Sequence, residues 1–278
     1  MRRLLPIALL ALGVAPLAAQ DDQLAWLRPK SQPEDALRAY REKIYRPVRT
    51  DETRSAGFLT EGTVLPFGQV LGPADRTFTR TAAPRATLAA GAVLGVAAPA
   101  GATYAPGQLL LLGTLQPGPK GWGEKFIPTG VAVVEKDNGG TDQILARVTS
   151  LYGILRRGQV VLPLEAMTNP GIVDLVATPN GPSGRLIGHR EERELHQPGE
   201  YVYSDLGRDD GVRIGDFVEL RRPPVSRVNN AEAVADVVGL GQIVHVNATS
   251  STVRLVRVMI AGLNGEIHAV RVATLPSN

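Results

Sequence analysis

Apolar positions along this chain fall into three regimes. Residues 4–14 form one apolar run behind Arg2 and Arg3. Residues 20–56 are polar, with a single narrow stripe at Ala36, Leu37, Tyr40 and Ile44 whose spacing is helical. Ser31-Gln32-Pro33-Glu34 reads as a capping box ahead of that stripe, because the hydroxyl and the carboxylate can each satisfy a free backbone N–H. Arg46-Pro47 stops it, so a helix is predicted over residues 33–45. From residue 57 onward the apolar runs become short and are separated by Gly and Pro, which is the pattern of an all-β region.

In that third regime the strands are predicted at 63–67, 92–97, 108–112, 130–134 and 144–149. A second set is predicted at 201–204, 217–221, 241–247, 252–258 and 267–272. Ile144, Ala146 and Val148 share one face of their strand while Leu145, Arg147 and Thr149 take the other. The apolar phase slips between Leu255 and Val256, which predicts a β-bulge of the kind that helps a small barrel close. Turn-rich sequence at 164–184 reads as the connection between two β-domains, 57–163 and 185–278. The stretch 172–177 inside it could supply an edge strand.

The two sets of strands look like copies of one unit. Gly107-Gln108-Leu109-Leu110-Leu111 corresponds to Gly215-Asp216-Phe217-Val218-Glu219. Gly130-Val131-Ala132-Val133-Val134 is matched to Gly241-Gln242-Ile243-Val244-His245, and Ala146-Arg147-Val148 to Val253-Arg254-Leu255. Three landmarks in one order at a nearly constant offset point to a duplication. The expected architecture is mainly β: two tandem small β-barrel-like domains related by duplication, preceded by one N-terminal helix.

Composition then narrows the address. Arg2 and Arg3, the apolar run and the small residues Leu17-Ala18-Ala19 before Gln20 read as a signal peptide over residues 1–19. The run is too short for a membrane span and is interrupted by Pro6, Gly13 and Pro16. The uncharged stretch 86–108 is mostly Ala and Gly with Pro99 and Pro106 inside, so it too reads as strands and turns. The formal charge is +3, but without Arg2 and Arg3 the chain has 28 basic and 27 acidic residues. That balance offers no basic surface for nucleic acid. With no cysteine, disulfides and thiolate metal sites are excluded.

Asp209-Asp210-Gly211-Val212-Arg213-Ile214-Gly215-Asp216-Phe217, followed by Gly241-Gln242-Ile243-Val244-His245-Val246 and residues 252–258, resembles the β-domains of exported bacterial proteins that accompany LysM peptidoglycan-binding modules. It is also similar to the C-terminal domain of the flagellar assembly protein T family. The shared pattern is a Gly-Val turn, a Gly-Asp turn, a strand, a Gly and a second strand, and it covers mainly residues 200–260. The resemblance implies a non-enzymatic envelope protein with a small barrel-like fold. No stretch of residues 20–60 resembles a LysM module itself.

Candidate chemistry is sparse. Asp205, Asp209, Asp210 and Asp216 are the candidate metal ligands, Asp205 and Asp216 being spaced like the ends of a calcium loop. Gly207 and Asp210 stand where that loop needs an oxygen ligand and a glycine, so turn formation is the preferred reading. His189, Glu191, Glu192 and His196 cluster without zinc spacing. Ser183 lacks the nucleophile elbow, and Asn247-Ala248-Thr249 matches a glycan acceptor. No cofactor and no catalytic set is expected.

These readings predict an exported protein, periplasmic or extracellular, acting as a structural or binding module of the cell envelope without enzymatic activity. Its expected partners are an envelope protein or cell-wall glycan, with no nucleic acid and no transmembrane span after signal cleavage. A subunit of a surface assembly, including a homo-oligomer, and an exported hydrolase using paired carboxylates are the alternatives.

Overall fold

The computed structural model describes residues 48–74, 88–135, 144–164, 175–178, 181–223, 235–260 and 262–275. The helix expected at 33–45 and the signal segment lie outside the described residues. The chain of elements begins with helix α1 (Thr50–Ala56) and strand β1 (Phe58–Leu59). Six strands follow: β2 (Gly68–Pro73), β3 (Val93–Ala97), β4 (Leu109–Pro117), β5 (Glu124–Val134), β6 (Ile144–Leu151) and β7 (Val160–Pro163). After β8 (Val176–Ala177) come β9 (Ser183–His189), β10 (Tyr201–Ser204) and a 3₁₀ turn at Arg208–Asp210. The chain then forms β11 (Phe217–Arg222), β12 (Asp236–Val246), β13 (Ser251–Val258) and β14 (His268–Thr274).

All strand pairs are antiparallel, and each set of six closes on itself. In the first sheet the hydrogen-bonded neighbours run β2, β3, β6, β5, β4, β7 and back to β2. In the second they run β9, β10, β13, β12, β11, β14 and back to β9. Numbered within each set, both rings have the same order. The fold is therefore mainly β, with two six-strand rings of one topology. Closure satisfies the backbone groups that an open sheet would leave as edges. Among the described residues only β1, added to β5, and β8, added to β14, lie outside the rings.

Equivalence extends to single residues. A register shift at Leu112/Gly113 in β4 recurs at Leu220/Arg221 in β11. Pairing steps over Thr149 in β6 and over Val256 in β13, so the bulge expected beside Val256 is present in both copies. The second landmark of the repeat needs correction. Leu112 faces Gly130 and Leu220 faces Gly239, so the counterpart of Gly130 is Gly239, not Gly241. A Cβ on Gly130 would lie 2.6 Å from the Ser150 carbonyl oxygen, and one on Gly239 would lie 3.0 Å from that of Arg257. Backbone approach at the bulge, rather than the following valines, is what the two glycines share.

Each ring encloses a core of equivalent positions. Leu94, Leu110, Leu112, Val134, Ala146, Val148 and Leu155 fill the first. Val202, Val218, Leu220, Ile243, Val253, Leu255 and Leu263 fill the second. The expected strand at 63–67 does not form. Val64 is 95% exposed and Pro66 interrupts the run, so the ring takes the next segment, β2, instead. β7 and β9 were not expected as strands, because their Gly and Pro residues mimic loop sequence.

Candidate functional site

The two barrels are joined by the short segment 49–61 as well as by the chain between β7 and β9. Glu52 receives the Arg49 backbone N–H at 3.0 Å and starts α1. Ala56 at the end of that helix is fully buried with Val48 and with Val244 of β12. Gly57 then turns the chain at φ 76°, where its missing side chain lets the Phe126 carbonyl approach. β1 follows, with Phe58 and Leu59 paired to Phe126 and Lys125 of β5. One edge of the segment thus belongs to the first barrel.

The other edge is held by the second barrel. Thr252 donates its hydroxyl to the Gly57 carbonyl at 2.8 Å, and the Asn247 amide donates to the Leu59 carbonyl at 2.6 Å. Thr249 N–H reaches the Glu61 carboxylate at 3.0 Å, and Arg254 pairs with Glu52 at 3.3 Å. Arg190 donates to the Ser55 carbonyl and lies over the Tyr201 ring. The Phe58 ring stacks on Phe126 of the first barrel at 5.0 Å and on His245 of the second at 4.7 Å. Each neutral bond contributes about 1 kcal/mol net, so this set holds the barrels in one arrangement.

Beside this segment lies an open cleft of about 480 Å³. Leu111, Leu162 and Leu164 form one wall on the outer face of the first barrel, and Val244 and Val246 belong to the opposite wall. Arg54 and Arg208 also line it, whereas no Asp or Glu does among the described residues. The apolar wall differs between the copies at one position, since Leu162 pairs with Leu111 and its counterpart Val270 pairs with Glu219. Leu111 and Glu219 occupy equivalent ring positions, and Glu219 is buried and paired with Arg221 at 2.6 Å. A barrel of this topology therefore does not require leucine on its exterior there.

A second constellation sits where β9 leaves its ring. The His189 and His196 rings stack at 4.2 Å, and His196 Nδ1 lies 3.1 Å from the Glu200 carboxylate. His196 is buried. His189 Nδ1 and His196 Nε2 are buried with no hydrogen-bond partner among the described residues. Burial, then the neighbouring His196, holds the His189 imidazole below its ordinary pKa, against Glu192 and Glu200. Lys125 of β5 approaches Glu192 at 3.4 Å, so the first barrel also reaches this cluster. Glu191 and Glu200 line a smaller pocket, bridged there by Arg193 at 2.6 Å and 3.1 Å.

No family model, curated protein or solved structure matches the chain.

The four candidate aspartates are not brought together as ligands. Asp205 accepts from the Arg185 backbone N–H and pairs with its guanidinium at 3.1 Å. Asp209 is exposed on the 3₁₀ turn, and Asp210 accepts from Gly207 N–H at 2.8 Å. Asp216 is fully buried, accepts from Arg213 N–H at 3.0 Å and from the Thr274 hydroxyl at 2.6 Å, and faces Arg271 at 3.6 Å. Its counterpart Gln108 accepts from Ala105 N–H at 2.9 Å in the same turn of the first copy. Among the described residues no group of three or more His, Asp or Glu is arranged to hold a metal ion. Asn247, read as a glycan acceptor, has its amide on Leu59.

The joining segment and the cleft were not visible as a site beforehand. Phe58 and the Leu109-Leu110-Leu111-Leu112 run did carry a signal. Four consecutive leucines place two on each face of a strand, which is more apolar surface than one barrel interior can take.

Proposed function

We propose that the chain is an exported cell-envelope protein that acts as a non-enzymatic structural or binding module. The observation that carries this reading is the fixed double barrel with an apolar cleft held open beside the 49–61 segment. A site whose walls are set before a ligand arrives loses less entropy on binding than one that must assemble. The signal-like residues 1–19 and the resemblance of residues 200–260 to LysM-associated and flagellar assembly β-domains support an envelope address. No helix among the described residues is long and apolar enough to cross a membrane. The partner of this reading is an envelope protein or cell-wall glycan.

Two measurements on the full chain test it. Fractionation of an expressing bacterial cell, with mass spectrometry of the mature N-terminus, should give a processed chain outside the cytoplasm that begins at Gln20. An unprocessed cytoplasmic chain would overturn the address. Retention of the mature chain on purified peptidoglycan would assign the glycan partner, and its absence would leave the protein partner as the reading.

A further inference from the structure

We infer that the cleft between the barrels binds a single-chain amphiphilic anion, with its apolar tail along Leu111, Leu162 and Leu164 and its acidic head at Arg54 and Arg208. This rests on the binding-module reading above, and it names a ligand chemistry that the envelope address alone does not.

Three observations converge on this class of ligand. The volume, about 480 Å³, falls in the range of pockets that take small molecules, roughly 300–1,000 Å³. The apolar wall lies on the outer face of the barrel, where Leu111 is buried with Phe126 and Val131 and where Leu162 and Leu164 pack against them; the equivalent of Leu111 in the second copy is the charged Glu219. The charge on the lining has one sign. Arg54 and Arg208 are its cations and no carboxylate faces them across the cleft among the described residues. The Arg54 guanidinium is half-buried and makes no hydrogen bond or ion pair among those residues, although it lies near Tyr152, while Arg208 is exposed and its guanidinium gives one long bond, 3.4 Å, to the Val246 carbonyl. A guanidinium held beside apolar surface without a counter-charge favours a ligand that brings one.

Extended shape follows from the walls. The leucines come from β4 and from the end of β7, neighbouring strands of one barrel face, and the residues of β12 lie across from them. A linear chain can lie along such a face, and each methylene it buries contributes about 0.8 kcal/mol. The acidic head would lie against the two arginines, and the tail would extend the apolar cluster of Leu111, Leu162 and Leu164.

Calorimetric titration of the purified mature chain with dodecanoate, below its micellar concentration, tests the inference. The controls are dodecyl maltoside, with the same tail and no charge, and dodecyltrimethylammonium, with the opposite charge. Saturable binding of one dodecanoate per chain is expected, with both controls weaker. The double variant Arg54→Gln, Arg208→Gln should bind dodecanoate at least about tenfold more weakly, the loss of one charge-assisted hydrogen bond. Both side chains are away from the cores, and an unchanged melting temperature of the variant would show that its fold is intact. Leu162→Gln should weaken dodecanoate and dodecyl maltoside alike. No saturable binding, equal binding of all three amphiphiles, or an unchanged affinity in the arginine variant would overturn the inference. So would a dimer in sedimentation that persists with dodecanoate, since it would assign the face to a second copy. Localisation plays no part in this titration, so its failure and the failure of the envelope reading are separable.

Discussion

Thr252 of β13 donates its hydroxyl to the carbonyl of Gly57, 195 residues away, and the bond is buried at 2.8 Å. It ties the joining segment to the second barrel while β1 ties it to the first. Thr252→Val keeps the shape and removes the donor, leaving a buried carbonyl unpaired. A loss of about 1–3 kcal/mol is expected, read as a lower urea midpoint with an unchanged slope. An unchanged midpoint would mean that the segment does not hold the barrels together.

A second expectation concerns close approach inside the rings. A Cβ on Gly68 would lie 2.4 Å from the Tyr104 hydroxyl and 2.5 Å from the Ala97 carbonyl. The equivalent Gly184 would meet Asp205 and Leu206 in the same way. Gly68→Ala and Gly184→Ala should each cost about 1–3 kcal/mol through overpacking. Gly262, with nothing within 4 Å of its Cβ position, is the control and should tolerate alanine. Thermal denaturation of the three variants checks this, and equal melting temperatures would refute it.

How far the chain could be read from its sequence follows from the same geometry. A strand whose faces alternate cleanly, such as β6, was legible because one face is core and the other is not. β2 and β9 were not, because Gly68 and Gly184 lie at the pairings that close the rings and, like Gly72 and Gly188, resemble loop residues. The duplication was visible at Gly107 and Gly215, which both turn the chain with positive φ, 82° and 98°. It was misplaced by two residues at Gly241, since a shift of two keeps every side chain on its face and leaves the apolar pattern unchanged. The cleft needs residues from 54, 111, 162, 208 and 244 together. No local pattern carries that information, so it appears only once both rings are closed.

Acid should weaken the contact around β9. His189 is held below its ordinary pKa, so in the window between its folded value and about 6.5 the unfolded chain binds more protons than the folded one. Its contribution to stability is complete above that window and is lost as pH falls through it. The groups facing His189 are His196, Glu192, Glu200 and Lys125. The carboxylates reduce the shift, while burial, His196 and Lys125 enlarge it. His189→Phe keeps a ring against His196 and removes the titration, so its urea midpoint should change less than that of the wild type between pH 7 and pH 5. Parallel pH profiles would exclude His189 as the source.

Asp216 offers the sharpest test of whether the acidic stretch 205–216 binds metal or builds turns. Its carboxylate takes the Arg213 N–H, the Thr274 hydroxyl and the Arg271 guanidinium, so its oxygens are already occupied within the fold. Gln108 performs the backbone part of that task in the first barrel with a neutral amide, which separates the cap from the charge. Asp216→Asn keeps one carbonyl oxygen as acceptor and loses the ion pair, for an expected cost of about 1.5–3 kcal/mol. Asp216→Ala also strands the buried donors, and about 3–5 kcal/mol is expected. Under the turn reading, millimolar calcium leaves the melting temperature of the wild type where it is. A rise with calcium that Asp216→Asn abolishes would instead make this aspartate a ligand, because only a bound ion couples the two observations.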